Sequence, residues 1–482
     1  MLEPHNYGLS SRWFLRALLI SLLLLASLAV VLLAGGALHW NTIVLPAGNR
    51  WLAVLFLSLA GMIFLRGFRS TEWDAFSPLR LFYTIWFGLL ALGFIRLTTA
   101  DSGLTVRFWT IVTCGLSAFY LGALWAGRTR EKGDQVALSE LARHWKIDWV
   151  PSRALLLSGA FCAVCLAAFT YEYLKTGIMP LLAEDPNSVR ALFSVNSYVH
   201  RFAISFYITI QLGYIGVVHL RRYKAAFLAI LVLGCVAITL LTARSFLLFA
   251  VWTAIVLFHY GRRRMTPRVA LLVVLIAYPV AKLAVDVRRF YGNDAFNRVL
   301  DQIDFPERLR AFAPDYLYFS MTLQTLDHLT FIIPGEMDYQ HGWYTGYPIR
   351  VFWTTRKGEG FRDRLDDLFW ERSGEWSPTP AVTTAYMGVP YADFGIPGVF
   401  VFSCIFGWLS VRAYESMRRQ PTFWRVFFYS QINLAIVLSI FGTYLTLFEP
   451  YWNLGVMALV HSFASGGSNL PGAAVAARLE SA

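Results

Sequence analysis

Arg244 stands in the run Leu240-Leu241-Thr242-Ala243-Arg244-Ser245-Phe246-Leu247, at a tight turn between two apolar stretches. A charge in such a place costs up to about 2.5–3.5 kcal/mol at a helix centre and less toward the interface, so it needs a partner or a purpose. Arg288 and Arg289 follow in Asp286-Val287-Arg288-Arg289-Phe290-Tyr291-Gly292, and Arg190 and Arg201 stand in the connection around 175–201. All five arginines fall on the side of the chain's spans where short loops ordinarily lack Arg. A guanidinium stays charged and grips phosphate oxygens in bidentate fashion, so the set would suit a lipid-linked diphosphate at the outer leaflet. The alternative for each is a snorkelling side chain that anchors a helix end at the lipid headgroups.

The histidines on that same side are His39, His200, His328 and His341. None has paired metal-ligand spacing, so no metal site is expected. His341 lies in Tyr339-Gln340-His341-Gly342-Trp343-Tyr344-Thr345-Gly346-Tyr347-Pro348, an aromatic run that also includes Trp343 and Tyr344. Such rings can stack on sugar faces, although interfacial belts use the same residue types. Cys162-Ala163-Val164-Cys165 has CxxC spacing but no second pair or nearby His, and reads as buried small hydrophobes. No nucleotide-binding loop, Ser-nucleophile motif or nucleic-acid module is present.

The elements that must position these residues are apolar. Of 482 residues, 57% are hydrophobic and 15% charged, with 16% aromatic. Soluble domains carry about 25% charged residues, so the chain reads as an all-α polytopic membrane protein. Windows of spanning length centre on 14–38, 45–65, 79–97, 105–126, 153–174, 202–220, 225–243, 245–260, 268–285, 396–411, 426–447 and 450–465, about twelve in all. Basic residues cluster on alternate connections, at Arg66 to Arg80, Arg128 to Lys146, Arg221 to Lys224, Arg262 to Arg264 and Arg412 to Arg425. That side holds roughly twenty Lys and Arg against roughly seven, which puts both termini in the cytoplasm and accounts for the net charge of +12.

Four regions follow: 1–285 as a bundle of about nine spans, 286–395 as one large external loop, 396–465 as the last spans and 466–482 as a cytoplasmic tail. Within the loop, Phe361, Leu365, Leu368 and Phe369 share one helical face. That pattern suits an amphipathic helix at the headgroups or one packed on the loop's own core.

Three segments resemble the oligosaccharide repeat-unit polymerases, the Wzy-type O-antigen polymerases of bacterial inner membranes. They are Thr242-Ala243-Arg244-Ser245 before an apolar span; Tyr316-Leu317-Tyr318-Phe319-Ser320 with Leu326-Asp327, leading on to His341 through Pro348; and Thr383-Thr384-Ala385-Tyr386 with Tyr391-Ala392-Asp393-Phe394-Gly395-Ile396-Pro397-Gly398. The resemblance covers about 240–410. One departure is Pro380-Ala381-Val382-Thr383-Thr384, where relatives often carry an Asn, so no role is transferred to that position.

The resemblance implies a GT-C-like helical fold and metal-independent, cofactor-free glycosyl transfer between two undecaprenyl-diphosphate-linked glycans at the periplasmic face. The growing chain is the donor and a new repeat unit the acceptor; membrane lipids and a chain-length regulator are the other implied partners, with no nucleic acid. Such chemistry needs cations at the departing diphosphate and a base at the acceptor hydroxyl. Arg244, Arg288 and Arg289 are the candidates for the first, with Arg190 or Arg201 at the second diphosphate. His341, then Asp327, Glu336 and Asp393, are candidates for the base, though Asp393 equally suits a helix cap. Tyr344, Trp343 and Tyr318 are the candidates for sugar stacking. An O-antigen ligase or another lipid-linked glycosyltransferase would be the nearest competing reading, and a flippase or other transporter the more distant one.

Overall fold

The computed structural model describes residues 50–66, 72–95, 97, 104–128, 136–145, 147–183, 189, 192, 197–266, 269, 305–350 and 383–465. Among these residues every long element is a helix. In chain order they are α1 (Arg50–Leu65), α2 (Pro78–Ile95), α3 (Val106–Arg128), α4 (Pro151–Thr176), α5 (Ser197–Ile204), α6 (Phe206–His219), α7 (Lys224–Leu240) and α8 (Arg244–Gly261). The second half adds α9 (Ala313–Ile332), α10 (Gly388–Arg419), α11 (Phe423–Leu438) and α12 (Glu449–Ala464). Local signals set the ends. Pro151 opens α4, where its missing N–H breaks no helical bond, and Gly177 closes it at φ 73° with its N–H on Tyr173 O at 2.8 Å.

Five stretches are long and apolar enough to cross a membrane: α2, α3, α4, Tyr198–His219 across α5 and α6, and α10. α1, α7, α8 and α11 are apolar but shorter. The expected windows at 14–38 and, but for residue 269, 268–285 lie outside the described residues, as does the expected amphipathic face of Phe361, Leu365, Leu368 and Phe369. The window at 426–447 is only partly helical, because α11 stops at Leu438. There Ser439 O accepts the Tyr386 N–H at 2.8 Å and Thr443 Oγ1 donates to Tyr386 O at 2.8 Å. Tertiary bonds thus replace the next helical turn.

The expected external loop 286–395 holds a long helix. α9 packs on α2 and α3, with Leu323, Leu326, Leu329 and Ile332 buried. Its interleaved Thr, Gln and Asp residues mask the apolar face in a hydropathy window. The fold satisfies several of them: Thr322 and Thr383 hydroxyls are 2.9 Å apart, and Thr330 Oγ1 donates to Asp327 O at 2.7 Å. Arg107 donates to Thr330 O at 2.7 Å, a cation at the helix C-terminus.

α3 and α10 make the most extensive helix pair. At their crossing a Cβ on Gly122 would sit 1.9 Å from Cys404 O, and one on Gly407 would sit 2.0 Å from Phe119 O. Backbone therefore lies directly on backbone, as small residues permit between apolar helices. Around it Phe82 stacks on Phe119 with centroids 3.6 Å apart, and Phe406 and Tyr386 close the cluster.

A buried carboxylate ties together the opposite end of α10. Asp74 accepts from Phe76 N–H at 2.9 Å, Tyr260 Oη at 2.7 Å and Tyr414 Oη at 2.9 Å. His259 Nε2 lies 3.4 Å from its Oδ1. His259 Nδ1 accepts from Met265 N–H, so the ring's proton is on Nε2, facing Asp74. α8, α10 and the turn before α2 thus meet on one charge.

Candidate active site

The expected site residues fall into two groups, and a kink in α10 builds the first. Gly395 adopts φ 66°, ψ −152° inside that helix, and Pro397 follows. Proline has no N–H to give the carbonyl four residues earlier, which is Asp393 O. His341 N–H takes that carbonyl at 3.0 Å, and Gln340 N–H takes Ala392 O at 3.0 Å. The Asp393 side chain completes the dock, accepting from Tyr344 N–H at 3.1 Å, Thr345 N–H at 2.6 Å and Thr345 Oγ1 at 2.5 Å. A Cβ at Gly395 would press on the Tyr339 ring at 3.0–3.2 Å, so the left-handed glycine also makes room for the loop.

This geometry changes several expectations. Asp393 is fully buried with three donors on its carboxylate, so it anchors the 339–347 loop instead of serving as a base. Tyr344 is 4% exposed and offers no open face to a sugar. Trp343 is exposed, but the Arg350 guanidinium covers its ring at 3.3 Å from the centroid. His341 is exposed at φ 48°, and Glu336 is exposed just past the end of α9. The Tyr318 side chain lies outside the described residues.

Asp327 is buried on α9, and both of its oxygens face Thr105 at the start of α3. Thr105 Oγ1 donates to Asp327 while accepting Phe108 N–H at 3.2 Å, so the carboxylate reinforces a helix N-cap. That is a docking role for Asp327, not a base at an open site. Burial pushes its carboxyl up to about 6, with the Thr105 bonds opposing. The folded-state value lies above the unfolded one of about 3.9. Its contribution to stability is therefore full below about pH 4 and is lost as pH rises through 6, by at most about 3 kcal/mol. In melting curves of the detergent-purified protein, wild type should lose stability between about pH 4 and 7 relative to Asp327→Asn. Parallel pH dependence of the two would remove this assignment.

The second group gathers where the end of α4 meets α5 and the starts of α8 and α12. His200 on α5 places Nδ1 3.1 Å from both oxygens of Glu172, one turn before the end of α4. The Glu172 side chain is 0% exposed and the His200 side chain 23% exposed, so the carboxylate is sealed behind the ring. Arg201 lies next to it, 4.6 Å from the Phe448 ring and 5.3 Å from the Tyr198 ring. Glu449, the first residue of α12, lies within electrostatic range of both Arg201 and His200. Trp452 Nε1 donates to Ser205 Oγ at 2.8 Å, and Ser205 Oγ donates to Arg201 O at 2.5 Å, which pins α5 to α12.

Arg244 begins α8 beside this group. Phe246, two residues on, stacks on Tyr207 with centroids 5.3 Å apart, and Tyr207 Oη donates to Glu449 O at 3.1 Å. The Arg244 side chain and residues 190, 288 and 289 lie outside the described set. Of the five arginines, Arg201 is thus the one whose side-chain surroundings are defined. The Glu172–His200 pair was not assigned a role from sequence. Its members are 28 positions apart and share no motif; the one signal was a lone Glu near the end of an apolar run.

Among the described residues, fold and site define an all-helical arrangement, with helices apolar enough to cross a membrane and a carboxylate–imidazole–guanidinium group at one end. Comparison with family models, curated proteins and solved structures found no match for the chain.

Proposed function

We propose that this chain is a bacterial inner-membrane glycosyltransferase that polymerises undecaprenyl-diphosphate-linked repeat units at the periplasmic face, making O-antigen or a related surface polysaccharide. In this reading about twelve spans in a GT-C-like arrangement hold both termini in the cytoplasm, with residues 286–395 periplasmic. The observation that carries it is the gathering of Arg201, His200, Glu172 and Glu449 at the same end of the bundle as the start of α8 at Arg244. The Asp74 group lies at the other end of α8, beside the connections with the greater share of Lys and Arg.

The chemistry required is displacement of a lipid diphosphate from the anomeric carbon of the growing chain by a hydroxyl of the incoming unit. Arg201 and Arg244 offer fixed positive charge to the departing diphosphate, where negative charge develops. The Arg201 guanidinium lies against the rings of Phe448 and Tyr198, and a guanidinium can grip phosphate oxygens in a two-pronged fashion.

The test is glycan length in cells lacking this chain, displayed as a gel ladder. Loss of the ladder, with a single repeat unit still attached to its final acceptor, is the expected result. Accumulation of long, unattached lipid-linked chains would make the protein a ligase. Absence of repeat units from the periplasm would make it a transporter.

A further inference from the structure

Burying a carboxylate completely is costly unless a partner compensates it, and Glu172 has that partner in His200. The pairing also fixes the imidazole. With Nδ1 held by both carboxylate oxygens at 3.1 Å, the neutral ring keeps its proton on Nδ1 and its lone pair on Nε2. Among the described residues the hydrogen bonds of the ring are those of Nδ1, and the ring is the partly exposed member of the pair. A sealed carboxylate, an oriented imidazole and an open ring nitrogen are the parts of a positioned general base. Arg201, the next residue, shares with His200 the nearby Glu449 carboxylate.

We propose that His200 is the catalytic base of this site and that Glu172 is its positioning residue, a role that rests on the glycosyltransferase reading above. The substrate group is a sugar hydroxyl of the incoming repeat unit. Its oxygen forms a bond to the anomeric carbon of the donor while the bond from that carbon to the phosphate oxygen breaks. The electron pair leaves with the diphosphate, and the hydroxyl proton passes to His200 Nε2. Glu172 stabilises the imidazolium so formed, and the proton then passes to water, restoring the neutral ring. Arg201 faces the charge that develops on the leaving diphosphate. The assignment takes the base away from the 339–347 loop and from Asp327, whose carboxylate is engaged with Thr105.

The experiment uses full-length protein in membrane vesicles, supplied with lipid-linked repeat units extracted from the host strain. Initial rates are measured against unit concentration. His200→Gln is expected to lower kcat about 10²–10⁴-fold with KM changed less than about threefold, the range general-base removal produces. Glu172→Gln is expected to lower kcat at least about tenfold, because the amide can donate to Nδ1 and reverse the tautomer; Glu172→Asp should recover part of the loss. Added imidazole should restore turnover to His200→Ala, which a merely structural histidine would not allow.

Wild-type rates in His200→Gln would overturn the pair while leaving the polymerase reading intact. So would loss of the folded peak in every variant, with no response to imidazole. Wild-type vesicles that fail to lengthen the units, together with an intact ladder in the deletion strain, would instead remove the polymerase reading itself.

Discussion

Gly122→Val should leave almost no folded protein. Its Cβ would sit 1.9 Å from Cys404 O, 2.7 Å from Cys404 C and 2.9 Å from its Cα, all backbone atoms of α10. Flexible side chains can swing aside, but a helix backbone moves only by parting the whole α3–α10 pair. Overpacking in cores with room to adjust costs about 1–3 kcal/mol, and a backbone collision belongs at or beyond the top of that range. The damage would spread, because α10 also carries the Gly395 kink that docks the 339–347 loop and the Tyr414 hydroxyl that meets Asp74. The measurement is the monodisperse fraction of a fluorescent fusion in detergent, followed by its melting temperature. Gly127→Ala is the control: nothing lies within 4 Å of its Cβ, and Ala is favoured over Gly in a helix by about 1 kcal/mol. A Gly122→Val protein that melts like wild type would mean the two helices separate freely.

Asp74→Ala is the second large effect. The carboxylate is 1% exposed and receives two tyrosine hydroxyls and a backbone N–H. Burial alone would push its carboxyl up. His259 and the Tyr260 hydroxyl outweigh burial and hold it well below the usual carboxylate range. Because the folded-state value is depressed, this stabilisation is present above the unfolded value of about 3.9 and is lost only at strongly acid pH. Removing the carboxylate strands Tyr260, Tyr414, Phe76 N–H and the Nε2 face of His259 without their acceptor, a loss of about 3–5 kcal/mol. Asp74→Asn keeps one acceptor oxygen and should lose less. Equal melting temperatures for Asp74→Ala and wild type near pH 7 would show that the group is not holding these elements together.

Helix boundaries were the most legible part of the chain, because a continuous apolar run needs no knowledge of what surrounds it. The runs at 79–97, 105–126 and 153–174 fall on α2, α3 and α4 with ends displaced by a few residues. α9 was not legible. Its polar residues stay buried because Thr105 and Thr383 answer two of them, and both lie far from it in sequence. The kink in α10 did carry a local signal, a glycine two residues before a proline. Its use did not: only the folded chain brings Gln340 and His341 to the carbonyls of Ala392 and Asp393.

The sequence by itself determined an apolar, helical, membrane-type chain, an asymmetric distribution of basic residues and a short set of polar residues to be explained. Those properties are sums over neighbours along the chain. Only the tertiary structure decided which polar residues are sealed and which are open. Asp393, Asp327 and Tyr344 turn inward to fasten one element to another, whereas Glu172 and His200, 28 positions apart, meet with the carboxylate sealed and the ring partly exposed. The physical reason is that a buried polar group must find its partner in space. Where that partner lies is set by how α4, α5 and α12 pack, which no local run of residues encodes.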